Sequence, residues 1–221
     1  NNLKANPDEF AIIVMRFEND HLIYNDRDVW NNLMASFLSS SDFPEEYRVD
    51  FRPDLTIGDL RGKILILSRD AYASVPSTGA FVSGWSHGEN GSTGGTIIGK
   101  NITASLNIQD YYSVEDSEQK NAVIKSFADM AANAQAGRWT INHTSGYTGT
   151  LGSDSAYKKN AANTNSFLYD YLVCNSKPIG ATGIIVMDHV GSRKSGSYTV
   201  WGDLLPQAII DNNYKHRLTR R

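Results

Sequence analysis

The sequence predicts an α/β protein assembled from parallel βαβ units, and three observations point there. Short, nearly continuous apolar runs recur along the chain: "FAIIVMRF" (10–17), "KILILSR" (63–69) and "GIIVMDH" (183–189). Runs of this kind suit strands covered on both faces. Amphipathic stretches of helical period separate them, which is the alternation of a parallel sheet. Charged residues also close each run at its C-terminal end, where parallel α/β folds carry their sites.

Taken in order, "NNLKANP" (1–7) reads as a helix end stopped by Pro7, and the first strand follows, closed by Arg16 and Glu18. The spacing predicts a helix over 28–39 with Val29, Leu33 and Phe37 on one face and Trp30 and Met34 beside them. The second strand ends in Arg69 and Asp70. Residues 72–100 are dense in Gly and Ser and read as a long surface loop. A less apolar strand, "ASLNIQDYY" (104–112), leads to a helix over 115–135 carrying Val123, Phe127 and Met130. Then come a strand "WTINHTS" (139–145) and a helix over 155–174 with Phe167, Leu168, Tyr171 and Leu172. The last strand is 183–189, and a short helix over 203–212 carries Leu204, Leu205 and Ile209. The count is five strands.

The chain has 221 residues, enough for one large α/β domain or two small ones. A net charge of −3 argues against general nucleic-acid binding. A single cysteine, Cys174, excludes an intramolecular disulfide and a CxxC metal site, and it reads as a small buried hydrophobe. No run approaches the roughly 18 apolar residues of a membrane span. The first residues lack the basic-then-apolar pattern of a signal peptide, which leaves a removed signal open.

Side-chain alternation puts Arg16 on the face of Ile12 and Val14, and Arg69 on that of Leu65 and Leu67. Asp188 shares a face with Ile184 and Val186, and His189 points the other way. A carboxylate ending so buried a strand either faces water or has a partner. Two arginines and an acid at strand ends suit an anionic ligand that also offers hydroxyls; the same residues also read as charges on a solvated rim. "GENGSTGG" (88–95) lacks the Lys-Ser/Thr ending of a phosphate loop. The five histidines (21, 87, 143, 189, 216) show no metal-ligand spacing, so no metal site is expected. His143 reads as a hydrogen-bonded structural residue, with a catalytic role as the other reading. "NIT" (101–103) and "NHT" (142–144) match glycosylation acceptors. No Ser/Cys–His–acid arrangement supports acyl transfer.

Five segments in order, "NPDEFAIIVMRFE" (6–18), "IGDLRGKILILSR" (57–69), "NIQDYY" (107–112), "INHTSG" (141–146) and "GIIVMDHV" (183–190), resemble the C-terminal half of the bacterial phosphatidylinositol-specific phospholipases C. "GDLRGKI" is the most specific piece, and the match reaches nearly the whole chain. The resemblance implies a (β/α)8 TIM-barrel-like fold. Residues 1–221 would supply about the last five strands, as the C-terminal part of a single barrel. It implies cleavage of phosphatidylinositol to diacylglycerol and a cyclic inositol phosphate by metal-independent general acid–base catalysis, with no cofactor. Asp188 falls on the acid that holds the base histidine. Arg69 falls on an inositol-binding arginine, and Asp110 and Tyr112 on an inositol-binding acid and a ring-stacking tyrosine. Arg16 falls where the family often has a lysine. Neither of the family's catalytic-histidine boxes occurs in this sequence, so those strands are expected in a missing N-terminal part, and Asp188's partner is expected to be a histidine from there. Implied partners are the headgroup of phosphatidylinositol or its glycosylated form and, transiently, a membrane surface, with no nucleic acid. Phe81 and Trp85 are candidate interfacial anchors, or they cover the rim. The implied location is secreted, periplasmic or cell-surface. A non-catalytic inositol-lipid or glycan binding module is the main alternative. A related phosphodiesterase for another headgroup, such as glycerol, with acidic metal ligands, is the third.

Overall fold

The computed structural model describes residues 2–17, 27–174 and 180–215. Glu18, His21 and His216, singled out above, lie outside them. Among the described residues seven strands form one sheet in sequence order: β1 (Ala11–Met15), β2 (Ile64–Ser68), β3 (Ala80–Ser83), β4 (Ser92–Ile98), β5 (Thr103–Gln109), β6 (Arg138–His143) and β7 (Ile184–Val186). A two-stranded ribbon joins β8 (Lys194–Ser195) to β9 (Tyr198–Thr199). The helices are α1 (Asn2–Ala5), α2 (Arg27–Ser39), α3 (Ile57–Leu60), α4 (Ser117–Ala132), α5 (Asp154–Cys174) and α6 (Leu204–Lys215). The chain divides into two compact units, Asn1–Gly84 with Gly95–Ser105, and Trp85–Gly94 with Leu106–Arg221.

In the first unit, β1 pairs parallel with β2, and β2 with β3. The "GDLRGKI" segment explains itself locally. Thr56 caps α3 in a capping box, its hydroxyl accepting from the Asp59 N–H while Asp59 accepts from the Thr56 N–H. Gly62, at φ 71°, then turns the chain, and its N–H donates to the Glu9 carbonyl at 2.7 Å, setting the start of β2 against the start of β1. Leu65 and Leu67 on one face of β2 and Ile66 on the other are all buried, as a doubly covered strand requires.

The stretch 72–100 is not one long loop. It holds β3 and β4, which pair antiparallel with Val82 opposite Ile97. Their short apolar cores, "AFV" and "TII", are hidden among Gly and Ser, so composition masked them. Phe81 is 7% exposed and packs edge-on against Tyr72, so it is a core residue and not a membrane anchor. The buried face of α2 also differs from the expected one. Met34 and Leu38 point inward with Trp30 packed beside them, joining Phe43, Ile66, Tyr72 and Phe81, while Val29, Leu33 and Phe37 are exposed. Apolar residues occupy two adjacent stripes of this helix, and spacing alone does not rank them.

The second unit pairs β6 parallel with β7, His143 opposite Val186. Its apolar core joins Ile124 of α4, Leu168 and Leu172 of α5, and Leu205 and Ala208 of α6. Cys174 ends α5 exposed and not buried. Asn142 is fully buried and donates to the Ile124 carbonyl at 2.8 Å, which removes it as a glycosylation acceptor; Asn101 sits exposed in the β4–β5 turn.

Candidate functional site

Three of the five residues expected at a site, Asp110, Tyr112 and Asp188, belong to the second unit, just past the C-terminal ends of β5 and β7. The other two, Arg16 and Arg69, belong to the first unit. They directly follow Met15 and Ser68, which face each other in the β1–β2 register, so both arginines leave neighbouring parallel strands at the same end. Arg16 is exposed and Arg69 half-buried.

In the second unit the chain continues its parallel course beyond the strands. Ser113 bridges Tyr147, the Tyr147 N–H donates to the Tyr112 carbonyl at 2.9 Å, and the Val114 N–H to the Tyr147 carbonyl at 2.9 Å. This brings the rings of Tyr112 and Tyr147 to 5.2 Å, edge to face. The Tyr112 hydroxyl lies 3.0 Å from that of Tyr157 on α5. That hydrogen bond, then burial, then the negative charges of neighbours including Asp188 push the Tyr112 phenol up to about 12.

Asp110 is 6% exposed. One carboxylate oxygen accepts from Trp85 Nε1 at 2.9 Å and lies 3.0 Å from His87 Nδ1; the other lies 3.5 Å from His143 Nδ1. His143 in turn is 3.0 Å from the Ser145 hydroxyl, and the Trp85 ring meets its imidazole edge-on. Trp85 thus lies half-buried over this polar cluster. Asp188 accepts from the Gly146 N–H at 3.2 Å. Burial raises its carboxyl above the usual range, opposed by that N–H and by the charges of His189 and Lys120. Among the hydrogen bonds of the described residues, then, the partner of this strand-end acid is a backbone amide.

Beneath these residues lies a buried polar floor that sequence reading missed. Gln109 donates to Asn142 Oδ1 and to the His143 carbonyl, both at 2.7 Å, and accepts from the Tyr111 N–H at 2.8 Å. Lys120 of α4, fully buried, donates to Gln109 and to the carbonyls of Tyr111 and Ser145. From α5, Asn160 and Thr164 both donate to the Thr144 carbonyl, at 2.9 and 2.8 Å. Asn165 accepts from the Thr144 hydroxyl at 2.7 Å and donates to the carbonyls of Asp188 (3.3 Å) and Val200 (2.8 Å). The backbone around Asp188 is specified as tightly. His189 takes a left-handed conformation at φ 61°, and Gly202 approaches so closely that a Cβ there would sit 1.7 Å from the His189 carbonyl oxygen. One signal for the floor was present: Lys120, Ile124, Phe127 and Ala131 share one helical stripe, so a lysine stands where an apolar residue is expected.

Chemically, an acceptor carboxylate flanked by imidazoles and an indole N–H, an aromatic cluster and a second carboxylate suit a polyhydroxylated ligand. Among the described residues no group of three or more His, Cys, Asp or Glu is arranged to hold a metal ion, and no helix is long and apolar enough to cross a membrane.

No protein-family model matches the chain, and no curated protein matches it. Solved structures do. A histidine-to-tyrosine variant of the phosphatidylinositol-specific phospholipase C from Staphylococcus aureus superposes with a TM-score of 0.69 at 17% identity, covering 96% of this chain and 66% of that one. Another structure of the Staphylococcus aureus enzyme, concerned with modulation of membrane binding, gives 0.67 at 17% identity, covering 96% and 67%. The phosphatidylinositol-specific phospholipase C from Listeria monocytogenes gives 0.53 at 19% identity, covering 96% and 66%. The chain therefore spans about two thirds of the length of the structures it matches. Its fold is that of a partial TIM-barrel-like α/β protein, the class the sequence predicted, and the resemblance read from the five segments extends to the fold.

Proposed function

We propose that this chain is the C-terminal part of a metal-independent phosphodiesterase of the phosphatidylinositol phospholipase C type. In this reading Arg16, Arg69 and Asp110 hold inositol hydroxyls and Tyr112 stacks against the ring. A base histidine from a part outside these 221 residues takes the proton of the inositol 2-hydroxyl. Asp188 fixes the tautomer of that imidazole with the lone pairs its amide contact leaves available. The 2-oxygen attacks phosphorus, the bond to the diacylglycerol oxygen breaks, and a second histidine protonates that oxygen, releasing diacylglycerol and a cyclic inositol phosphate. The enzyme would act outside the cytoplasm, secreted, periplasmic or on the cell surface, in transient contact with the membrane that holds its lipid.

What supports this reading is the convergence of Asp110, Tyr112 and Asp188 on one buried polar floor, at the strand ends where sites of parallel α/β folds lie. The test is phosphorus NMR of phosphatidylinositol vesicles incubated with the full polypeptide. The reading expects a cyclic phosphate signal that an Asp188→Asn, Arg69→Ala double variant loses by at least about a hundredfold. Undiminished turnover in that variant rejects the assignment. Inositol binding without any cyclic product points instead to a binding module.

A further inference from the structure

The ammonium of Lys120 is fully buried, and its hydrogen bonds run to three neutral oxygens: Gln109 Oε1 at 3.0 Å, the Tyr111 carbonyl at 2.8 Å and the Ser145 carbonyl at 3.2 Å. An ammonium has three donors, and all three are used. The acceptors belong to the last residue of β5 and to two different turns, one after β5 and one after β6. The first carries Asp110 and Tyr112. The second carries Gly146, whose N–H holds Asp188, and Tyr147, whose ring meets Tyr112. An apolar side chain at this place in the α4 stripe would complete the packing but leave three buried oxygens unpaired. Burying an ammonium is costly, so its presence here calls for an account beyond packing.

We propose that Lys120 is a positioning residue of the polyol site: its protonated ammonium ties the Asp110–Tyr112 turn to the Ser145–Tyr147 turn, and the site holds a polyol only in that state. The inference rests on the polyol reading given above. A neutral amine has two hydrogens and a lone pair, so loss of the proton to solvent leaves one of the three oxygens facing a lone pair, and the junction between the turns loosens. The charged and titratable groups around it are Asp110 and Tyr111 from the β5 end, with His87 and His143 beyond Asp110, and Asp188 from the β7 end with His189 beside it. Asp116 is one turn away on the chain leading into α4. Burial draws the Lys120 pKa down to about 7, opposed by the charges of Asp110 and Asp188. The switch therefore falls in the neutral range and not at the alkaline pH of an ordinary lysine.

The test is calorimetric titration of myo-inositol into the whole chain from about pH 5.5 to about pH 9, with carbon NMR of the Lys120 Cε and the Asp188 carboxyl. Native affinity is expected to fall about tenfold per pH unit above a midpoint that coincides with the Lys120 Cε titration, as loss of one proton requires. Lys120→Met is expected to bind at least about tenfold more weakly, with no step in that range, and its Asp188 carboxyl to titrate at higher pH than the native one. Native affinity and profile in Lys120→Met overturn the proposal. If that variant does not fold, the native chain decides: an affinity step that fails to track Lys120 Cε overturns it. If the native chain binds no myo-inositol at any pH, the polyol reading fails by itself. In that case Tyr112 and Gly146 amide shifts that follow Lys120 deprotonation uphold the coupling of the two turns, and shifts that stay flat reject it.

Discussion

The two units present their candidate residues on different foundations. In the first, Arg16 and Arg69 leave parallel strands backed by an apolar cluster of Met34, Leu38, Phe43, Ile66, Tyr72 and Phe81. In the second, Asp110, Tyr112 and Asp188 rest on a polar floor of Gln109, Lys120, Asn142, Thr144, Asn160, Thr164 and Asn165, nearly every one of them fully buried. An apolar foundation tolerates small changes by repacking, whereas a hydrogen-bonded one fails when a single member is removed, because its partners are left dry and unpaired. The difference teaches that the strand ends rest mainly on an apolar layer in one unit, where side-chain-to-backbone bonds are local to Asp70 and Ser68, and on an extended web of such bonds in the other.

The comparison can be broken at several points. The largest effect is expected from Leu38→Ala, which empties the centre of the first core and should cost about 3 kcal/mol in urea unfolding. Close behind, Asn165→Ala should cost about 2–3 kcal/mol, since it takes the amide from the Asp188 and Val200 carbonyls and leaves the Thr144 hydroxyl only a 3.5 Å contact with the Val186 carbonyl, and unlike Leu38→Ala it should also shift the Asp188 carboxyl resonance. A cost below about 0.5 kcal/mol would show that water replaces this asparagine freely and that the floor is not a unit. Next in size is a pH effect confined to the second unit. The Lys120 pKa lies near 7 folded, against the ordinary lysine value of 10.5 in the unfolded chain. Between those values the unfolded chain holds a proton that the folded chain has released, so this group's contribution to stability rises with pH across that window. Urea midpoints of the native chain should accordingly gain on those of Lys120→Met between about pH 6.5 and about pH 9.5. Smaller still, Arg27→Ala removes a 2.9 Å ion pair with the buried Asp70 in which the arginine is 61% exposed, and should cost about 1 kcal/mol or less. The smallest effect belongs to Leu33→Ser on the exposed stripe of α2, expected within about 0.5 kcal/mol of neutral. The contrast with Leu38→Ala on the same helix would fix which of its two apolar stripes faces the core.

The elements that repeat a strong period were legible from sequence. β1, β2, β5, β6 and β7 and helices α2, α4, α5 and α6 fall where apolar runs and helical spacing place them. β3 and β4 were not, because three-residue apolar cores in a Gly/Ser background carry no period to count. The inward stripe of α2 was misread because its apolar residues outnumber the positions a core can take. At the site, the strand-end acids and tyrosine were visible as residues out of character with their surroundings. The floor was not. Asn160, Thr164 and Asn165 look like the solvated face of an ordinary helix, and only the contacts reveal that this is the buried side of α5. Trp85 and His87 were separated from Asp110 by more than twenty positions, a distance over which sequence spacing carries no geometry.

The one cysteine of the chain ends α5 in the open. A maleimide dye would therefore attach at a single point on the second unit, which also holds Trp85, Trp139 and Trp201, while Trp30 belongs to the first. Denaturation followed through dye and indole emission together would then reveal whether the two units melt as one body or in sequence, without any residue being altered.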